Sequence, residues 1–82
     1  MSYQQSIIKE YESMGFLVIK TIRLNKSGFP DLMCLKDGKT IWIEVKEPKD
    51  TLKPLQKKRI EELIEIGFEA YCLQKNKGKI YP

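Results

Sequence analysis

Residues 29–46, FPDLMCLKDGKTIWIEVK, contain the strongest structural signal in the chain. Asp37-Gly38 separates two strand-like runs, Asp31–Lys36 and Lys39–Lys46. An Asp-Gly pair between such runs favours a two-residue hairpin, because a type I′ turn needs positive φ at both central residues. We therefore predict that these two runs form an antiparallel hairpin.

The register of this hairpin places two acidic residues opposite each other. If Asp37 and Gly38 form the turn, counting back along both strands puts Asp31 directly across from Glu44. Opposed residues have Cβ atoms about 4.5–5.5 Å apart, so the two carboxylates repel unless a cation lies between them. Mg²⁺ binds one or two carboxylates together with water and phosphate oxygens, which makes a metal site on a phosphodiester substrate a reasonable prediction.

Strand periodicity adds a lysine to the same site. Trp42, Glu44 and Lys46 share one face of the second run, whereas the intervening apolar residues face the other side. Lys46 could stabilise charge that develops on the phosphate, or help to deprotonate the attacking water, and the sequence leaves both roles open. The simpler alternative is that Glu-x-Lys is a solvated strand face and that an Asp after a Pro only begins a strand.

Periodicity and turn residues assign the other elements. We predict helices at residues 3–14 and from Pro54 to Gly67, and further strands at 16–24, 68–74 and 79–81. The second helix should bury an apolar stripe of Leu55, Ile60, Leu63 and Ile64, and Gln56 shares the face of Ile60 and Leu63. The order α-β-β-β-α-β-β indicates an α/β protein with a mixed sheet and a single domain, residues 1–82.

Composition limits the chemistry that is available. The chain of 82 residues has no histidine, which excludes His-based nucleophilic catalysis and His-ligated zinc. A domain of this size has a modest core, so a partner subunit would help it. The net charge of +4 favours an anionic partner without proving one. Cys34 and Cys72 lie in apolar strands and are expected to be buried free thiols, and a cytoplasmic location is expected since no signal peptide or membrane span is evident.

The pattern resembles the VRR-Nuc family of the PD-(D/E)xK nuclease superfamily. The residues that carry this resemblance extend over nearly the whole chain: Gly15, Gly28, Pro30, Asp31, Leu32, Glu44, Lys46, Leu55 and Gln56. The resemblance implies a restriction-endonuclease-like core in which Asp31 and Glu44 ligate Mg²⁺ or Mn²⁺. It also implies that the Val45 carbonyl completes the ligand set, that Lys46 acts on the attacking water and that Gln56 orients the site.

The chain departs from the family pattern in its first helix. Family members often carry a Glu there that reaches the metal, whereas this chain has Gln4 and Gln5. Gln4 shares a helical face with Ile7, and Glu10 lies at the border of that face, so either could approach the site.

Cations around the proposed site suit contacts to DNA phosphates. They are Lys26, Lys46, Lys49, Lys53, Lys57, Lys58 and Arg59. A solvated helix face is the alternative for the last three, with Glu61, Glu62 and Glu65 as partners.

Short stand-alone members of the family resemble phage enzymes that act as homodimers on branched DNA. The resemblance therefore implies a nuclease that resolves four-way (Holliday) junctions in the cytoplasm of a bacterial host. The alternatives are the same chemistry on flaps, ends or duplex, a catalytically silent DNA-binding module, or a small structural or RNA-associated protein. Aromatic stacking strips on open strands would favour the RNA-associated alternative.

Overall fold

The computed structural model describes residues 1–82 and has the predicted order of elements. The elements are α1 (Tyr3–Ser13), β1 (Leu17–Lys20), β2 (Leu32–Lys36), β3 (Lys39–Lys46), α2 (Pro54–Glu65), β4 (Glu69–Gln74) and β5 (Gly78–Tyr81). All five strands form one sheet in the order β1-β2-β3-β4-β5. The prediction of a mixed-sheet α/β fold is confirmed.

The hairpin forms at the predicted turn. Asp37 and Gly38 both have positive φ, at 52° and 75°, as a type I′ turn requires. Lys36 pairs with Lys39 across it, so the predicted register is confirmed. The register then extends without a bulge to the pair of Leu32 and Ile43.

Strand β2 begins at Leu32, one residue later than we predicted. Pro30 has no N–H with which to continue the ladder, and the chain turns away before it. Asp31 therefore precedes the strand. The register still leads from the Leu32–Ile43 pair toward Asp31 and Glu44 as the next two opposed residues.

The two faces of the sheet bury two separate apolar clusters. The cluster beneath α1 consists of Ile7, Leu32, Cys34, Ile43 and Tyr71. The cluster beneath α2 consists of Leu52, Ile60, Leu63, Ala70 and Cys72. Both cysteines are buried free thiols, as predicted. Because α2 connects the only parallel pair of strands, β3 and β4, it crosses over the sheet and covers the face that carries Glu44 and Lys46.

Trp42 belongs to the second cluster. Its ring packs against Phe29 and Phe68, with centroids 5.8 and 6.5 Å apart. This tryptophan therefore contributes to the core beside the site.

Strand β1 is shorter than predicted. It ends at Lys20 rather than at Leu24. The Thr21 N–H still donates to the Asp31 carbonyl (2.9 Å), but the next residue opposite is Pro30, which has no N–H to continue the pairing. Residues 22–24 consequently leave the sheet and are exposed.

The predicted apolar stripe of α2 is half wrong. Ile60 and Leu63 are buried, but Leu55 and Ile64 are about 40% exposed. One narrow stripe is enough for α2, since it contacts chiefly β4. Met14, the last residue of the predicted first helix, is also exposed and follows the last helical residue, Ser13. Neither helix has the length and apolar character that crossing a membrane demands.

The packing of α2 can be tested by comparing alanine substitutions at a buried and an exposed isoleucine. Ile60→Ala should lower the free energy of unfolding by about 2–5 kcal/mol, because Ile60 is fully buried and the deletion leaves a cavity. Ile64→Ala should change it by less than about 0.5 kcal/mol, because Ile64 is exposed. Urea denaturation measures both. Equal effects of the two substitutions would contradict the packing described.

Candidate active site

Glu44 is the buried centre of a polar group on the α2 face. The residue is only 2% exposed. Its Oε2 lies 3.6 Å from Lys46 Nζ and accepts a hydrogen bond from Gln56 Nε2 at 3.3 Å. Its Oε1 is buried and has no hydrogen-bond partner. Since an unpaired buried carboxyl oxygen is costly, this atom indicates a site built to receive a further group.

Asp31 is fixed beside Glu44 by the end of the hairpin. The Val45 N–H donates to Asp31 Oδ2 at 3.1 Å. The backbone carbonyl of Asp31 accepts a hydrogen bond from the N–H of Thr21, the residue after β1. The Thr21 hydroxyl donates to the Pro30 carbonyl. Both the carboxyl group and the backbone of Asp31 are therefore held in place.

Strand geometry places the backbone carbonyl of Val45 beside Asp31. In the antiparallel register, Val45 follows the Leu32–Ile43 pair by two residues, so its N–H and carbonyl both point to the side of β2. Pro30 would be the residue opposite, and it has no N–H to donate. The carbonyl therefore lacks a ladder partner next to Asp31.

The environment of Glu44 favours its neutral form. Burial raises the pKa of Glu44 from 4.5 to about 8. The charge of Asp31 adds to the rise, as does a hydrogen bond that protonated Glu44 donates to the Asp31 carboxylate, while Lys46 opposes it. Without a cation, Glu44 therefore holds a proton at neutral pH. Two ionised carboxylates in this position require a positive charge other than Lys46.

Gln56 joins α2 to the site with both ends of its carboxamide. Its Oε1 accepts from the Lys53 N–H at 2.9 Å, which caps the first turn of the helix, and its Nε2 donates to Glu44. The prediction that Gln56 shares the buried face of Ile60 and Leu63 is confirmed. Any shift in the start of α2 would thus move a hydrogen-bond donor of Glu44.

Gln74 is a buried polar residue that the sequence analysis missed. It pairs with Lys46 across the β3–β4 ladder and is 4% exposed. Its Nε2 contacts the carbonyls of Glu47 (2.9 Å), Pro48 (3.3 Å) and Asp50 (2.8 Å). Gln74 therefore anchors the loop that leads from Lys46 to α2. A Gln at the end of an amphipathic strand gives no sequence signal that separates this role from solvent exposure.

The side chains of the remaining predicted residues form no hydrogen bond or salt bridge with Asp31, Glu44 or Lys46. Glu10 is exposed, and neither it nor the half-buried Gln4 makes a hydrogen bond to Asp31, Glu44 or Lys46. The proposed DNA-contacting lysines, Lys26, Lys49, Lys53, Lys57 and Lys58, are all exposed. Of the expected helix pairs only one with Arg59 forms, to Glu62 at 2.8 Å, so neither Lys57 nor Lys58 is in a salt bridge. The Lys57 amine lies over the Tyr81 ring, 5.6 Å from its centroid.

The donor set fits a hard divalent cation. The orphaned Glu44 Oε1, the Asp31 carboxylate and the Val45 carbonyl are all oxygen donors, which Mg²⁺ and Mn²⁺ prefer. No group of three or more His, Cys, Asp or Glu side chains lies together in the chain. A cation held by two carboxylates keeps coordination positions for water and phosphate oxygens. Cys72, which pairs with Glu44 across the ladder, is no ligand of this kind, because burial raises its thiol pKa to about 11.

Comparison with known proteins gives consistent results. The p44 protein of Acyrthosiphon pisum secondary endosymbiont phage 1, which its name assigns provisionally as a nuclease, is 27% identical over 73 residues, covering 88% of this chain and 78% of the relative. A solved VRR_NUC domain structure superposes with a TM-score of 0.73 and 28% identity, over 84% of this chain and 76% of that one. The Archaeoglobus fulgidus Holliday junction resolvase Hjc has a TM-score of 0.66 and 22% identity, over 89% and 61% of the two chains, which shows a shared fold.

The five-stranded fold, with Pro30-Asp31 directly before β2 and Glu44-x-Lys46 at the end of β3, is the fold of a solved VRR_NUC domain. The VRR-NUC domain model matches residues 2–76, and the chain belongs to this nuclease family. The family that the sequence pattern predicted is therefore confirmed.

The raised pKa of Glu44 makes metal-free stability depend on pH. Between about pH 4.5 and 8 the folded protein keeps the Glu44 proton, whereas the unfolded chain has lost it. The contribution of Glu44 is thus fully present below pH 4.5 and is lost as pH rises through 8. In EDTA, the free energy of unfolding of the wild type should fall relative to that of Glu44→Gln by up to about 1.4 kcal/mol per pH unit. Urea titrations at several pH values test this, and parallel pH profiles would contradict it.

Loss of the Gln74 carboxamide should loosen the loop after Lys46. We expect Gln74→Ala to lower the free energy of unfolding by about 1–3 kcal/mol, since three carbonyl contacts are lost from a buried position. Lys75→Ala, at the exposed neighbouring position, serves as the control and should change it little. Urea denaturation compares the two, and a Gln74→Ala effect no larger than the control would be evidence against the anchoring role.

Proposed function

We propose that this protein is a Mg²⁺- or Mn²⁺-dependent DNA endonuclease that resolves four-way junctions as a homodimer. The observation that carries the proposal is the buried, unpaired Glu44 Oε1 beside Asp31, with Lys46 Nζ 3.6 Å from the other oxygen of the same carboxyl group. Membership of the VRR-NUC family supports the chemistry. The fold shared with a Holliday junction resolvase supports the choice of substrate.

The carboxylates of Asp31 and Glu44 and the carbonyl of Val45 would hold the cation. When bound, the cation supplies Lewis acidity, which neutralises phosphate charge and lowers the pKa of the attacking water. The residues of the chain orient the groups that would bind the cation. Asp31 is oriented by the Val45 N–H, and Glu44 is oriented by the Gln56 carboxamide. A site held by these bonds needs little reorganisation when phosphate arrives.

Lys46 acts on the reacting phosphate. Its side chain is 10% exposed, and its amine sits against Glu44 at the edge of the carboxylate pair. From there Nζ either stabilises, as the ammonium, the negative charge that develops on the phosphate oxygens, or takes up, as the neutral amine, a proton from the attacking water. Gln74 holds the loop that follows Lys46 and so keeps the amine in register with Glu44.

The surroundings of the site suit an extended anionic substrate. The exposed lysines, Lys26, Lys49, Lys53, Lys57 and Lys58, lie in the segments that enter and leave the site. Phosphate contacts of this kind position a duplex without reading its sequence. Pairing of two copies about a two-fold axis would place two such sites on two strands of a junction.

Cleavage of defined substrates tests this function. A labelled four-way junction and a matched linear duplex are incubated with Mg²⁺, Mn²⁺ or EDTA. The wild type should make paired nicks at the junction in either metal and none in EDTA. Lys46→Ala should slow nicking by about 100-fold or more, in the range expected for lost proton transfer or charge stabilisation. Lys39→Ala, at the exposed first residue of β3, is the matched control and should cut normally.

Each departure from this pattern has a definite meaning. Nicking that persists in EDTA or in Lys46→Ala would contradict the assigned chemistry. Metal-dependent nicking of both DNAs at equal rates would retain the nuclease and remove the junction preference. Binding without cutting in either metal would identify a silent DNA-binding module.

A further inference from the structure

Two aliphatic side chains project from the loop that connects β1 to β2. Ile22 is 81% exposed, the highest value among the large apolar residues, and Leu24 is 48% exposed. The loop, residues 21–29, surrounds an open hollow of about 530 Å³. Neighbouring exposed aliphatic side chains on one loop form an apolar surface of the kind that binds a partner.

The loop is anchored at both ends. At its start, the Thr21 N–H and hydroxyl donate to the carbonyls of Asp31 and Pro30. At its end, Arg59 Nε donates to the Ser27 carbonyl at 2.9 Å. Gly28, at φ +83°, lies so close to Leu55 that a Cβ there would come within 2.7 Å of its Cγ. Ile22 and Leu24 therefore lie on a loop whose two ends are held in place.

The charge around these side chains indicates the kind of partner. Lys20, Arg23 and Lys26 alternate with the aliphatic residues, and no acidic residue occurs between Phe16 and Pro30. Two copies of the segment from Lys20 to Lys26 placed face to face would bring six cations together, which is repulsive. A polyanion that also offers apolar surface satisfies both the cations and the aliphatic side chains.

DNA exposes the apolar faces of its bases only where the stack is broken. In a continuous duplex the base faces are covered by their neighbours, whereas a branch or a frayed end exposes them. Aliphatic side chains of DNA-binding proteins contact such faces when they wedge between base steps. Because the loop starts at Thr21, which is hydrogen-bonded to the Asp31 carbonyl, DNA held by the loop would approach the site from the side of Asp31.

We propose that Ile22 and Leu24 form an apolar wedge that packs against unstacked bases, and that this wedge directs the enzyme to branched or frayed DNA. The inference rests on the proposed nuclease function and adds to it the element that discriminates between DNA structures. Arg23 and Lys26 contact the flanking phosphates.

The test compares the double variant Ile22→Ser/Leu24→Ser with the wild type on a four-way junction, a splayed-arm DNA and a continuous duplex. Binding is measured by fluorescence anisotropy in Ca²⁺, and nicking is measured in Mn²⁺. The double variant should bind the two branched DNAs at least about fivefold more weakly, as expected for lost base contacts, while duplex binding and nicking stay within about twofold. Ile80→Ser, an exposed aliphatic on β5 at the opposite sheet edge, should match the wild type.

Two further measurements make the result specific. 2-Aminopurine at the branch point should change its fluorescence when wild type binds and should not change with the double variant. Arg23→Ser should weaken all three DNAs alike, because phosphate contacts carry no preference for structure. Circular dichroism confirms that each variant is folded.

The proposal is overturned if the double variant loses affinity equally for all DNAs, or keeps the wild-type preference for branches. It is also overturned if sedimentation shows that the substitutions only dissociate an oligomer, which would assign the loop to a second copy. If the wild type binds DNA but cuts none, the proposed nuclease function fails, whereas the binding and 2-aminopurine results still decide the wedge.

Discussion

Two carboxyl groups held side by side in a largely dry site form the constraint around which this small protein is built. The hairpin register brings Asp31 and Glu44 together, and burial with mutual repulsion raises the pKa of Glu44 to about 8. Such a pair is stable only if one member keeps its proton or a cation replaces that proton. The repulsion between the two carboxylates therefore favours binding of a divalent metal, which can bind a phosphate at the same time.

Each structural element around Asp31 and Glu44 contributes a group that positions the site. Pro30 ends the β2 ladder, which frees the Val45 N–H for the Asp31 carboxylate and leaves the Val45 carbonyl without a partner. Gln56 caps α2 while it donates to Glu44, so the helix start and the site are positioned by one side chain. Gln74 fixes the loop between them. The same residues that end a strand, cap a helix and anchor a loop thus also position the site, so a small domain holds its site rigidly without a large core.

Features governed by local chemistry could be predicted from the sequence, and features governed by tertiary contacts could not. The Asp37-Gly38 turn fixed the hairpin register, and helical spacing placed Gln56 toward the sheet. The end of β1 depended on where β2 begins, and the exposure of Ile64 depended on how narrowly α2 packs on β4. Gln74 could not be identified, because its partners are carbonyls of a loop whose path only the folded chain defines. The roles of the site residues remain predictions from pattern and geometry.

Proton release on metal binding tests the central claim most directly. Mn²⁺ is titrated into the protein at pH 7 by calorimetry in two buffers of different ionisation enthalpy, beside Glu44→Gln. A cation that replaces the proton of a carboxyl group with a pKa near 8 should release close to one proton per site, and the variant should neither bind with this affinity nor release a proton. Binding of equal strength in the variant, or binding without proton release in the wild type, would contradict the account.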